Sequence, residues 1–380
     1  MQNKKVEFFK HNIEEVDISR AVDILRSIFL TTGSAVAEFE QGFSAYTGLP
    51  HTIAVTSCTA ALHLSLLAMN IGPGDEVITT PMSFCATSNA VIHAGARPVF
   101  VDVEKDTGNI NADLIETAIT DRTKAIIPVH LYGQMCDMRK IRRIADAHGL
   151  AVIEDAAHAI EAERDGIKVG HLSDCACFSY YATKNITSGE GGAVSTRDPE
   201  TADTIRMLRL HGIDKSAIDR YTKRYQHWDM PVLGWKYNMD NIHASLLIGQ
   251  VARLDELWQK RDRLWTFYEQ GLGAGIADVD ILKTVRGSRH ARHLFTILVH
   301  PDRRDTVLWA LQERGIGVAV NYRPIHFLSY YRKTFGYKDG DFPVAEDIGC
   351  RTISLPLYPK LGEDEAAYVV GTVREIVSGG

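Results

Sequence analysis

Three stretches of the chain carry residue types that could do chemistry together. The first is FSYYATKNITSGEGGAVSTRD, residues 178–198. It reads as a strand, a turn holding Lys184, and a glycine-rich return into a second strand. A lysine at such a turn can point its amine inward to a cofactor, or it can be a surface lysine on a hairpin. The second is VIEDAAHA, where Asp155 follows an apolar strand. A partly buried carboxylate there needs a cationic partner or must neutralise; the competing role is a helix cap. A lysine amine and a carboxylate at neighbouring strand ends are what pyridoxal 5'-phosphate requires. The amine condenses with the aldehyde, and the carboxylate pairs with the protonated ring nitrogen and keeps the ring an electron sink. The third is Ser57-Cys58-Thr59, joining a strand to a helix. Backbone N–H groups and hydroxyls at a helix start make an anion site for the phosphate; Thr59 could instead be an ordinary cap. Ser179, five residues before Lys184, offers a further hydroxyl, and Phe84 could stack on a ring or belong to the core.

The elements that must position these residues are short apolar runs alternating with helical segments. Strands are expected at 52–56, 75–79, 98–102, 124–130, 150–154, 175–180 and 193–196, with helices at 13–29, 59–70, 85–94, 111–119 and 137–148 among others. Such alternation predicts an α/β fold with a seven-stranded, mainly parallel sheet. Ligands in such sheets bind beyond the carboxyl ends of the strands, where Asp155, Lys184 and Ser57 fall. Residues 213–241 break the pattern and read as a polar, aromatic loop of the kind used for binding or oligomer contacts. Residues 242–270 read as one long helix linking a large domain, 1–245, to a smaller C-terminal α/β domain, 246–380. In that domain strands are expected at 294–299, 317–322 and 352–355.

Composition excludes several classes. The 380 residues are 45% hydrophobic and carry a formal net charge of -6, so no basic footprint for nucleic acid or anionic membrane is expected. No apolar run approaches the ~18 residues of a membrane span. The opening residues lack the apolar core of a secretory signal. The six cysteines form no CxxC pair, which suits a reduced, cytoplasmic protein. Zinc-protease, Walker and nucleophile-elbow motifs are absent. His290 and His293 are a weak metal pair, better read as polar groups at a domain edge, so no metal is expected.

The blocks SCTAALHLSLLAM, GDEVITTPMSF, PVFVDVEKDTGNI, IIPVHLYGQMCDM, VIEDAAHA, FSYYATKNITSGEGG and GWKYNMDNIHASL occur in one order. In that order they resemble the DegT-type (DegT/DnrJ/EryC/StrS) sugar aminotransferases over about residues 10–375. The resemblance implies a fold-type I pyridoxal-phosphate transferase in which Lys184 holds the cofactor and Asp155 pairs with its ring nitrogen. It places His158 near the ring hydroxyl, Phe84 over the ring, and Ser57, Cys58, Thr59 and Ser179 about the phosphate. Asn238 matches an asparagine that reaches the neighbouring subunit's cofactor, which implies a homodimer with a shared site. Thr32, Tyr322 and His326 fall where the family contacts a nucleotide-linked keto sugar. The implied reaction takes an amine from L-glutamate, leaves 2-oxoglutarate and pyridoxamine phosphate, and passes the amine to the sugar. The KNIT block and ISLPLYP look most like members that aminate carbon 4 of a uridine-diphosphate sugar, such as those forming UDP-4-amino-4-deoxy-L-arabinose. Carbon 3 of a dTDP or GDP sugar and a non-catalytic regulator are the competing readings. Position 58 departs from the family's usual Gly or Ala. Lys184, in place of histidine, argues against the dehydratase branch. Within the loop at 213–236, Lys223 and Arg224 are candidates for the nucleotide diphosphate, or belong to a solvated face.

Overall fold

In the computed structural model, residues 4–214, 227–273, 276 and 278–379 are described. The chain first builds a sheet from β1 (His51–Val55), β2 (Glu76–Thr79), β3 (Arg97–Phe100), β4 (Thr123–Ile126) and β5 (Ala151–Asp155). Two short strands, β6 (Glu163–Arg164) and β7 (Ile167–Lys168), precede its last members, β8 (Cys175–Ser179) and β9 (Gly192–Thr196). The seven-stranded order is β1-β9-β8-β5-β4-β2-β3. Pairing is parallel from β3 across to β8, while β9 runs antiparallel to both β8 and β1. All seven expected strands are present, and the sheet is mixed but mostly parallel.

The strands read as continuous apolar runs because both faces are covered. Alternate residues feed two cores: Ile78, Ile126, Val152 and Phe178 on one side, and Val77, Ala125, Ile153 and Cys177 on the other. The second side holds the Cys58–Ala68 helix, which is buried along most of its length. Asp155 continues the alternation of Ile153, and Ser179 that of Cys177. Both therefore end on the side where that helix begins.

A three-stranded antiparallel sheet, β10 (Val279–Ile281), β12 (Phe295–Val299) and β13 (Thr352–Leu355), covers its own core around Trp265, Tyr268 and Val369. Between its first two strands, β11 (Ser288–Arg289) joins β6 and β7 in another small sheet. Near the other end of the chain, Val6 is buried against this C-terminal region. Its N–H donates to the Gly315 carbonyl at 2.9 Å, and its carbonyl accepts from the Gly317 N–H at 2.8 Å.

Three expectations need correction. The segment 242–270 is two helices, Asn241–Ala252 and Leu254–Leu272, broken at Arg253. Arg253 leaves helical geometry, and its guanidinium reaches the buried Asp17 carboxylate at 2.7 Å. A charge, invisible to an apolar stripe, marks this joint. The Glu15–Arg26 helix likewise buries Asp17 while Val16, Ile18 and Leu25 face outward. Residues 111–119 form two short 3-10 turns, Ala112–Leu114 and Glu116–Ala118. Residues 317–322 form no strand; they bridge β13 only through Ala319 and Ser354. Of the expected loop, residues 215–226, with Lys223 and Arg224, lie outside the described residues. Trp235, near its end, packs against His63 at 5.0 Å between ring centroids. Among the described residues, no helix is long and apolar enough to cross a membrane.

Candidate active site

Asp155 sits at the carboxyl end of β5, almost fully buried. Its Oδ1 accepts from the Ala157 N–H at 3.1 Å and its Oδ2 from the Thr87 hydroxyl at 2.7 Å. The carboxylate is thus held at both oxygens while its edge meets a cavity of about 540 Å³. Lys184 enters the same cavity from the turn between β8 and β9. That turn is pinned: Lys184 N–H donates to the Tyr181 carbonyl at 2.9 Å, and the Thr187 hydroxyl to the Tyr180 carbonyl at 3.0 Å. Enclosure by its neighbours lowers the Lys184 pKa to about 8, with the charge of Asp155 working against that shift.

The cavity wall also holds Ser57, Cys58, Thr59, Phe84, His158, Ser179 and Tyr322. Ser57, not Thr59, caps the helix: its hydroxyl accepts from the Ala60 N–H at 3.1 Å. Cys58 and Thr59 are the first residues of that helix, where N–H groups lack intrahelical acceptors. The Cys58 thiol lies 3.5 Å from the Cys177 carbonyl and 4.0 Å from Asp155 Oδ1, and burial raises its pKa well above the ordinary value. This turn lies so close to β9 that a Cβ at Gly192 would fall 2.4 Å from the Ser57 carbonyl carbon and 2.5 Å from the Cys58 nitrogen. The glycine-rich return is needed for that approach. Gly192→Ala is expected to cost about 1–3 kcal/mol, read as a lower unfolding midpoint.

His158 is almost fully buried, and its tautomer is set by its partners. Its Nδ1 accepts from the Tyr132 N–H at 3.2 Å, so the neutral ring carries its proton on Nε2, 3.0 Å from the Tyr322 hydroxyl. Burial, reinforced by Lys184, keeps its pKa well below the ordinary histidine value. Phe84 is 60% exposed, at the cavity wall and not in the core, with its ring 6.0 Å from that of Tyr322.

Other expected residues lie elsewhere. Asn238 donates to the Thr32 hydroxyl at 2.6 Å, and neither lines this cavity. His326 is fully buried, 3.0 Å from Glu346 and packed against Phe327 and Phe342, away from the cavity wall. His290 and His293, expected at a polar edge, are both buried; the His293 ring lies 4.3 Å from that of His158. Among the described residues no three His, Cys, Asp or Glu side chains are grouped to hold a metal.

Sequence reasoning missed Thr87, Phe8, Tyr181 and Glu190, all on the wall. For Thr87 a signal existed. It lies one helical turn after Ser83, at the start of an expected helix beside the strand end at Pro81–Phe84, and the two hydroxyls meet at 2.8 Å. Phe8 belongs to the region before the first helix, where no pattern pointed inward. Thr87→Val keeps the shape and removes the donor to Asp155. The expected result is roughly tenfold lower kcat, since hydrogen bonds to charged groups contribute ~1.5–3 kcal/mol.

These residues fit pyridoxal phosphate: an enclosed amine, a doubly anchored carboxylate, and a helix start opened by the absent side chain of Gly192, all on one cavity. The model of the DegT/DnrJ/EryC1/StrS aminotransferase family matches residues 11–374. The spore coat polysaccharide biosynthesis protein SpsC of Bacillus subtilis is 41% identical, covering 100% of both chains. The UDP-4-amino-4-deoxy-L-arabinose–oxoglutarate aminotransferase of Shewanella sediminis is 39% identical, covering 99% of both. Among solved structures, Helicobacter pylori PseC, an aminotransferase of pseudoaminic acid biosynthesis, superposes with a TM-score of 0.92. It is 28% identical and covers 99% of this chain and 100% of its own.

Proposed function

This chain belongs to the DegT/DnrJ/EryC1/StrS aminotransferase family, and on that premise we propose that it moves an amino group from L-glutamate to carbon 4 of a uridine-diphosphate keto sugar. It is a pyridoxal-phosphate-dependent sugar aminotransferase. When bound, the cofactor supplies the aldehyde that takes up the amine and the electron-withdrawing ring that acidifies the donor's α-carbon. The observation that carries the reading of the site is the meeting of Lys184 and Asp155 on one cavity with the start of the Cys58–Ala68 helix.

The chain's own residues do the rest. Lys184 would anchor the cofactor, and its free amine would carry the proton from the donor's α-carbon. An amine with a pKa of about 8 is free base at neutral pH far more often than an ordinary lysine. Asp155, oriented by Thr87 and Ala157, would pair with the ring nitrogen. The N–H groups of Cys58 and Thr59, with the Ser179 hydroxyl, would hold the phosphate. Phe84 and His158 would bound the ring from the cavity wall. Tyr322 meets the sugar from the cavity wall. Thr32 and His326 lie off that wall, and Lys223 and Arg224 are the candidates for the diphosphate.

A second copy of the chain completes the site. The Glu15–Arg26 helix presents Val16, Ile18 and Leu25 outward, which suits a homodimer, and Asn238 is the residue proposed to reach the other subunit's phosphate.

Carbon 4 and uridine diphosphate are favoured by the arabinose-linked relative. The deciding experiment incubates the pyridoxamine form with a panel of nucleotide keto sugars and identifies the amino sugar. A 4-amino uridine-diphosphate sugar is expected. A 3-amino product from a dTDP or GDP ketone would move the reaction to carbon 3, and no amino sugar from any ketone would overturn the activity.

A further inference from the structure

Lys184 belongs to two walls. One faces the cavity above; the other, with Thr183, bounds a second chamber of about 20 Å³. A cavity needs about 10–15 Å³ to take a water, so this one has room for a single molecule. Its lining is polar. Asn12, 6% exposed, Tyr358, 3%, and Arg261, 3%, all contribute. Among the described residues, Asn12 Nδ2, Tyr358 Oη and Arg261 Nη1 have no hydrogen-bond partner. Arg261 Nη2 donates to the Asn185 carbonyl at 2.6 Å, while Nη1 lies 3.5 Å from Glu161 Oε1, beyond ordinary hydrogen-bond length. Buried polar groups left this way are costly, which argues for a bound molecule that satisfies them.

His293 supplies the complementary group. The Asn185 amide nitrogen donates to Glu161 at 2.8 Å and to the Ala291 carbonyl at 3.0 Å, so its oxygen faces His293 Nδ1 at 3.0 Å as an acceptor. The proton of neutral His293 is therefore on Nδ1, and Nε2 is an acceptor. A water held by Asn12 Nδ2 through one lone pair and by Tyr358 Oη through one proton keeps a lone pair and a proton for the Lys184 amine. Lys10 and Phe9 form an exposed edge of the chamber, so its contents can exchange with solvent. Lys10 is itself engaged, 3.5 Å from Glu365 and over the Tyr358 ring.

We propose that this rear chamber holds one ordered water, bound by Asn12 and Tyr358, which exchanges protons with the Lys184 amine from the side away from the substrate. The inference rests on Lys184 being the residue that carries the proton. Having taken a proton from the donor carbon, the ammonium hands one to the water and receives another back, with no change of charge. A donor-derived proton is thereby replaced by a solvent proton before the amine gives one up. Tyr358 and Asn12 act as positioning residues.

Two measurements test this. A crystal structure of the cofactor-loaded enzyme is expected to show a water within hydrogen-bond distance of Asn12 Nδ2 and Tyr358 Oη. A dry chamber, or a halide identified by anomalous scattering after a bromide soak, overturns the proposal. In a single half-reaction with α-deuterated glutamate in ordinary water, Tyr358→Phe and Asn12→Ala are each expected to raise the deuterium retained at the cofactor carbon at least about twofold. Unchanged retention in folded variants that keep the visible absorbance of the lysine–cofactor linkage also overturns it. Absence of that absorbance in the unaltered enzyme would instead sink the role given to Lys184, and it is seen before any isotope is measured.

Discussion

Lys184→Ala is expected to lower turnover by at least about 10³-fold and to remove the visible absorbance of the lysine–cofactor linkage. The side chain is both covalent anchor and proton carrier, so one deletion removes two functions. The turn itself should survive, because it is held by the Lys184 N–H and the Thr187 hydroxyl and not by the amine. Added alkylamine should then restore part of the proton transfer without restoring the linkage. The pH dependence has a definite sign. Burial lowers the lysine pKa from 10.5 to about 8 in the cofactor-free chain. Only the unprotonated amine attacks an aldehyde, so the rate of cofactor attachment should rise with pH through a midpoint near that value and then level off. A rate still climbing near the ordinary lysine pKa of 10.5 would show that the amine is not enclosed.

The second large effect is expected at Asp155. Asp155→Asn should lower kcat by about 10²–10³-fold while cofactor still attaches, since Lys184 and the phosphate turn are untouched. The substitution is nearly isosteric. The asparagine oxygen can keep the Ala157 N–H, and the Thr87 hydroxyl can rotate to accept from the new amide nitrogen while remaining near Ser83. What is lost is the negative charge facing the ring nitrogen. A thermal midpoint close to that of the parent, alongside the loss of turnover, separates this from misfolding. Turnover that survives nearly intact would remove Asp155 from the chemistry.

How much of this could be read from the sequence follows from the kind of force that fixes each feature. The seven sheet strands were legible because burial on both faces makes them apolar runs. Asp155 and Lys184 were legible because charged residues at the ends of such runs are conspicuous. The break at Arg253 was not, because it is marked by a side-chain contact to Asp17, 236 residues away in sequence. The outward face of the first helix was open for a related reason: helical spacing of Val16, Ile18 and Leu25 does not say whether the stripe faces this chain's core. His290 and His293 were read as polar edge groups, since only folding shows that they are buried and that His293 meets Asn185 and His158. Thr87 was within reach of a search for hydroxyls facing a strand-end carboxylate. Phe8 was not, since its place depends on contacts with the far end of the chain.

Those far contacts concern the order in which the protein is made. Val6 is held through Gly315 and Gly317, and just beyond it Phe8 and Asn12 reach the front cavity and the rear chamber. Every residue of the large sheet leaves the ribosome more than a hundred residues before that anchor exists. Asp155, Lys184 and the phosphate turn can thus assemble in a nascent chain whose leading strap is still loose. Contacts of such long sequence separation close late. That strap therefore closes late, over a lysine whose turn is already made.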